Sequence, residues 1–258
     1  MKKVSLLMMT YNSEKNLENT LKSVALQDYP DIEIVLADGG SKDGTLEVIK
    51  KFSQESHCEV KWISEPDKGL YNAMNKVVDM ATGDYLLVMN DQLMRPDSLS
   101  KMVSAVESGD YDGVHSDLIY ADKEVCRYWH MGNGKLWTGW MPGHPTLMVK
   151  RQVYEKFGNY DESFKIAADY DFMVRIIKGG CKLNYIPEIL VRMYYGGTST
   201  NGLRSYVDSF KEGCRVLKKN HIKCGVVINT LRTVRVLSQF RTKKEIKHLW
   251  EQSVLNCE

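Results

Sequence analysis

This chain of 258 residues has no apolar run near the roughly 18 residues that a bilayer-spanning helix requires, which excludes a transmembrane helix. Its six cysteines, Cys58, Cys126, Cys181, Cys214, Cys224 and Cys257, include no CxxC pair and no metal-ligand spacing, so they read as reduced thiols. No GxGxxG follows the first apolar run, which argues against a dinucleotide-dependent oxidoreductase. Internal repeats and low-complexity segments are lacking too. The start of the chain is basic and then apolar, but no small-residue cleavage site follows, and Tyr11-Asn12-Ser13-Glu14 reads as a turn leading into a helix cap. The first ten residues are therefore expected to be a buried strand and not a signal peptide.

What is present is ordinary for a soluble globular protein, with 43% apolar and 26% charged residues and enough length for one large domain or a domain with an appendage. The net charge of +2 hides an asymmetry: residues 203–258 carry 12 Lys+Arg against 5 Asp+Glu, so this segment is +7 and the rest of the chain −5.

Short apolar runs at 4–9, 32–36, 60–63 and 85–89 are separated by stretches at 17–26, 46–52 and 70–80 whose apolar residues recur at helical spacing. This alternation predicts right-handed βαβ units: an α/β fold with a mostly parallel sheet covered by helices on both faces. It places four polar segments at strand carboxyl ends, where ligands bind in open α/β sheets: Thr10-Tyr11-Asn12, Asp38, Glu65-Pro66-Asp67 and Asn90-Asp91-Gln92. Beyond residue 110 the pattern is less regular. Strands are expected at 114–120 and 124–130, a loop rich in Gly, Trp and Pro at 131–145, a helix at 168–177 and a strand within 182–194. A flexible run follows at 196–200, and then helix to the end.

Asp38-Gly39-Gly40-Ser41-Lys42-Asp43-Gly44-Thr45 joins an apolar strand to a helix, and its glycines let the backbone turn sharply and approach a ligand closely. In isolation this is a helix cap and a turn. Together with Thr10-Tyr11-Asn12, Glu65-Pro66-Asp67-Lys68-Gly69, Ala81-Thr82-Gly83-Asp84-Tyr85 and Ala168-Asp169-Tyr170-Asp171, in order over roughly three quarters of the chain, it resembles the family 2 glycosyltransferases. Within that family the chain is most similar to bacterial enzymes that build surface polysaccharides such as O-antigen, capsule or exopolysaccharide.

The resemblance implies a GT-A, Rossmann-like fold and an inverting, hexosyl-type transfer from a nucleotide-diphosphate sugar, expected to be a UDP-sugar, to a saccharide or lipid-linked saccharide. Tyr11 can stack on a uracil ring, and Asp38 can accept the hydrogen bond of its N3–H. Thr10, Asn12 and Gly39 line the same edge. Lys68 can offset diphosphate charge, with Asp67 and Asn75 orienting the ribose or that lysine. Members of the family carry a DxD-like acidic motif for Mn²⁺ or Mg²⁺, and here the strand ends Asn90-Asp91-Gln92. Gln92 falls where the metal-binding acid belongs, which leaves Asp91 as the expected ligand of a weakly held ion.

Asp169 matches the family's general base, and Asp171 is expected to support it. His144 falls where related proteins have a histidine near the donor phosphates and acceptor, as a phosphate donor, an acceptor contact or a third metal ligand. Trp140, with Trp137 and Met141, either stacks on a sugar or plugs the core. The resemblance divides the chain into a donor half at 1–110, an acceptor half at 111–202 and a basic helical extension at 203–258. That extension either packs on the catalytic domain or rests on an anionic membrane. The expected location is cytoplasmic, peripheral to the inner face of the membrane, with no nucleic-acid partner; an oligomer is compatible with the sequence. Two other readings stay open: a nucleotide-sugar binder that has lost catalysis, suggested by Gln92, and a sugar nucleotidylyltransferase. The second would need a Gly-rich, Arg-containing loop where Thr10-Tyr11-Asn12-Ser13 stands.

Overall fold

Every residue of Val4–Thr10 (β1) and Ile32–Asp38 (β2) is buried, as a run of Val, Ile, Leu and Met flanked by turn residues predicts for a strand covered on both faces. The computed structural model, which describes residues 1–121, 125–194 and 202–239, sets these two strands side by side in a nine-stranded sheet. The chain continues through α1 (Glu14–Ala25), α2 (Thr45–Glu55), β3 (Glu59–Ser64), α3 (Leu70–Met80), β4 (Tyr85–Val88), β5 (Gln92–Leu93) and α4 (Ser98–Glu107). The second half contributes β6 (Gly113–Ala121), β7 (Val125–Trp129), β8 (Met148–Lys150), α5 (Arg151–Phe157), α6 (Ala168–Lys178), β9 (Leu183–Tyr194), α7 (Gly202–Lys219) and α8 (Gly225–Arg235). The expected alternation is present. The short β5 and β8 and the helices α4 and α5 go beyond it, and the 196–200 run and the chain after 239 lie outside the described residues.

The strand order is β3-β2-β1-β4-β8-β6-β9-β5, with β7 paired to β6. β1 to β4 are mutually parallel; β8 runs against β4 and β6, and β6 and β9 are parallel again. Alternation along the strands sends Leu6, Met8, Ile34 and Leu36 into one core with Leu21, Ile49 and Met102 of α1, α2 and α4. Leu7, Met9, Val35 and Ala37 point the other way, against Tyr71 and Val77 of α3 and Phe172 of α6. That second core also takes in Val216 and Leu217 of α7 and Ile228 of α8, so the C-terminal helices share the interior of the second half.

At the amino ends of the strands, Glu33 is fully buried and ties β2 to the turn before β4. Its carboxylate accepts from the Ser5 hydroxyl, the Thr82 backbone and hydroxyl, Gly83 N (2.9 Å) and Lys61 Nζ (2.8 Å). Burial alone would raise its carboxyl, but these bonds outweigh burial and hold it at about 2. The opposite edge, where β1, β2, β3 and β4 end, carries the candidate site.

Candidate active site

The tips of β1, β2 and β3 form one surface. Gly39 follows β2 so closely packed that a Cβ there would lie 2.6 Å from Asp67 Oδ2 and 3.4 Å from the Tyr11 ring, which brings Tyr11, Gly39 and Asp67 together. Tyr11 is 61% exposed, a flat ring open to a ligand, and not the packed core aromatic it would be elsewhere. The α1 and α2 entries are stapled to each other. Asn12, at φ 49°, donates its N–H to Ser41 Oγ (2.8 Å) and accepts from Lys42 N (2.9 Å), while Ser13 N donates to Thr45 Oγ1 and Glu14 N to Asp43. Ser13 makes no side-chain cap of α1; that expectation is replaced by this cross-loop clamp.

Asp38 requires a correction. Its carboxylate is buried and already accepts from Thr10 Oγ1 (3.2 Å), Gly40 N (3.0 Å), Ser41 N (3.0 Å), Ser64 Oγ (2.7 Å) and the Ser41 hydroxyl. Five donors fill the lone-pair positions of two oxygens, so Asp38 organises the turn, and no oxygen is left over for a base N–H. Burial would raise this carboxyl; the bonds from Ser41, Ser64 and Gly40 outweigh it and lower it instead.

Lys68 stands exposed at the head of α3 and makes no ion pair among the described residues, while Asp67 Oδ1 accepts from Gly69 N (2.8 Å) and closes the loop. Asn75 does not orient Lys68 or a ribose. Its side chain bonds Tyr160 N (2.9 Å), Tyr160 O (3.0 Å) and Glu162, and so ties α3 to the segment before α6.

One turn along α3, Tyr71 donates to Asp169 Oδ1 (3.1 Å), and Tyr170 N donates to the same oxygen (2.8 Å). Asp169 is half-buried, and its Oδ2 has no protein partner among the described residues. His144 lies close enough to feel the Asp169 charge; burial lowers its pKa more than that charge raises it, and its Nε2 bonds the Tyr160 hydroxyl (2.8 Å). Tyr160 in turn meets the Tyr154 hydroxyl at 2.7 Å. The segment that leads into α6 is fastened from a distance: the Glu212 carboxylate of α7 accepts from Lys165 N (3.0 Å), Ile166 N (2.8 Å) and Ala167 N (3.0 Å).

Two expected acceptor-side residues are placed elsewhere. Asp171 is fully buried and spent on Arg175 Nε (2.8 Å), Lys219 Nζ (3.0 Å) and Asn220 Nδ2 (2.8 Å), because two residues along a helix turn the side chain away from the cleft face. Trp140 is the core plug of the two readings: its Nε1 donates to Met131 O (2.9 Å) and its ring meets His115 edge-on.

With this geometry in place, comparison with known proteins is decisive. The model of glycosyl transferase family 2 matches residues 5–172, from β1 into the first turns of α6. The chain belongs to glycosyl transferase family 2. This family 2 glycosyltransferase is 29% identical over 205 residues to the PGL/p-HBAD biosynthesis glycosyltransferase of Mycobacterium tuberculosis, a match covering 76% of this chain and 78% of that protein. Its GT-A fold is shared with S. aureus TarS 1-349, solved with UDP-GlcNAc (TM-score 0.68, 16% identity, 97% of this chain and 71% of that one). It is shared as well with the Pyrobaculum calidifontis mannosyltransferase PcManGT, solved with GDP-Man and Mn²⁺ (TM-score 0.65, 15% identity, 97% and 79%).

Whether this family 2 glycosyltransferase can hold such an ion is a question of its own donor set. Asn90 Oδ1 is taken by Met9 N (2.9 Å), and Gln92 sits in β5 paired with Arg192. Asp91 is only 8% exposed, accepts from Tyr194 N (3.2 Å), and is pushed up to about 7 by burial. No group of three or more His, Cys, Asp or Glu suited to a metal occurs among the described residues. An enclosed carboxyl with no second acid beside it among the described residues does not fit a resident divalent ion, so the expectation of Asp91 as metal ligand is not met.

Tyr71, Tyr160 and Glu212 were not legible as site residues. Tyr71 carried a signal, a phenol on the first turn of a helix that leaves a strand tip. Glu212 carries none, since it acts 45 residues beyond the Ala167 amide it holds.

Proposed function

We propose that this glycosyltransferase moves a sugar, with inversion, from a UDP-sugar to a hydroxyl of a saccharide or lipid-linked saccharide. The observation that carries the reading is Asp169: one oxygen is pinned by Tyr71 and Tyr170 N, and the other is open. In the transfer, Asp169 Oδ2 takes the proton of the acceptor hydroxyl, the acceptor oxygen bonds the anomeric carbon, and the bond from that carbon to the diphosphate breaks, its electron pair leaving with UDP. Tyr11 stacks on the base, Gly39 and Asp67 shape the wall beside it, and Lys68 meets the diphosphate charge. His144, kept neutral by burial, shapes the acceptor side. No step is assigned to a metal ion.

The division into a donor half at 1–110, an acceptor half at 111–202 and a basic extension at 203–258 belongs to this reading, as does a cytoplasmic, membrane-peripheral location. The mycobacterial relative's part in PGL/p-HBAD biosynthesis and the UDP-GlcNAc bound to TarS support the transfer from a UDP-sugar. A second reading, a binder without turnover, is favoured by Gln92 alone. Asp169→Asn is the test: UDP affinity by calorimetry is expected to stay within about twofold, while transfer falls by about a thousandfold or more. Retained turnover would overturn the assignment, and wild-type binding without turnover on a panel of acceptors would favour the second reading.

A further inference from the structure

We propose that the outer face of α8, together with Trp137, is a docking surface for an anionic lipid bilayer. Val227, Leu231 and Val234 recur at i, i+4 and i+7 on α8, and all are exposed; Val226 beside them is 63% exposed. The other side of the helix is used normally, with Ile228 and Asn229 buried and Asn229 Nδ2 donating to Phe210 O (2.8 Å) of α7. An amphipathic helix whose second face is apolar as well lacks its partner.

The patch extends onto a neighbouring loop. A Cβ on Gly139 would lie 2.8 to 2.9 Å from Leu231, and Arg235 Nε donates to Thr138 O (3.2 Å), so the loop's Trp137 stands beside α8. Trp137 is 64% exposed, with Lys135 Nζ 6.0 Å from its ring centre. An exposed indole next to a row of aliphatic side chains suits the region between headgroups and acyl chains.

Charge selects the occupant. From residue 213 to residue 244 the chain holds nine Lys+Arg and no Asp or Glu. The acid before that stretch, Glu212, is enclosed by the amides it holds. A second copy on the same face would set Lys223 and Arg235 against their own like charges. Anionic lipid satisfies both the apolar row and its basic border.

One loop, residues 131–146, carries Trp137 on this face and His144 beside Asp169. Where the acceptor is lipid-linked, as the proposed transfer allows, docking would hold the enzyme at the surface that carries it; the docking itself does not rest on that reading.

The test is co-sedimentation of the full chain with vesicles of phosphatidylcholine containing about 30% phosphatidylglycerol, at low salt and at about 0.5 M salt. Wild-type protein is expected to pellet at low salt, to lose most of that binding at high salt, and to ignore pure phosphatidylcholine. Val227→Glu with Val234→Glu is expected to lower partition by about tenfold or more, and Trp137→Ser by about threefold to fivefold. Unchanged melting and UDP affinity of the variants keep the loss assigned to the surface. Failure of wild-type protein to bind these vesicles, or equal binding by the double variant, overturns the proposal. So does a solution dimer that the double variant dissociates without any change in vesicle binding, which would make the face a contact between copies.

Discussion

Replacing Asp91 with Asn is expected to stabilise the fold at neutral and alkaline pH. Asp91 is 8% exposed, accepts one hydrogen bond among the described residues, from Tyr194 N, and is moved by burial from the usual 3.8 to about 7. A folded value above the unfolded one means that the native state keeps a proton the unfolded chain has released. The contribution is intact below about pH 4, falls as pH rises toward 7, and levels off above. Three pH units correspond to roughly 4 kcal/mol, a ceiling that local relaxation and water entry reduce to about 2 kcal/mol. Asn has the same shape, keeps an oxygen for Tyr194 N–H, and never ionises. Urea unfolding with EDTA present should give equal stability for the two proteins at pH 4 and an advantage of about 2–4 kcal/mol for the variant at pH 8. A flat wild-type profile between pH 5 and pH 8, or a variant no more stable at pH 8, would refute the reasoning.

Three further outcomes can be checked. Tyr71→Phe removes the phenol bond to Asp169 and should lower kcat by about tenfold with the donor KM within about twofold; equal kcat would make Tyr71 a packing residue only. Gly39→Ala forces a methyl toward Asp67 Oδ2 and the Tyr11 ring, and should weaken UDP binding by about tenfold in calorimetry with little change in melting temperature. Glu33, fully buried and held at about 2, contributes stability that is complete above about pH 4.5 and is lost as pH falls toward 2. That loss is about 3 kcal/mol, so Glu33→Gln should flatten the acid limb of the denaturation profile.

Local pattern made the first half of the fold legible. β1 to β4 and α1 to α3 fall where the alternation puts them, because buried parallel strands and amphipathic helices write their periods directly into sequence. β5 and β8, two and three residues long, are too short to carry a period. In the candidate site, the resemblance named Tyr11, Lys68 and Asp169, and the structure places them at a strand tip, at the head of α3 and at the start of α6. The resemblance could not tell an acid that faces a ligand from one that faces its own loop, and so it misassigned Asp38, Asp171 and Asn75. Each of these is consumed by partners contributed by other loops or helices: Ser64 for Asp38, Lys219 and Asn220 for Asp171, and Tyr160 for Asn75. The donors that claim them are set by tertiary contact, which one-dimensional spacing does not record.

The carboxylate of Glu212 on the amides ahead of Ala168 also sets an order of events during synthesis. Chains emerge amino end first, and the donor half can collapse on its own βαβ units as it appears. The segment that leads into α6 gets these bonds only when the α7 segment has been made. On the proposed reading, a nascent chain thus forms its nucleotide-sugar pocket before the segment that leads to Asp169 is fastened, and competence for transfer arrives with the last fifth of the polypeptide.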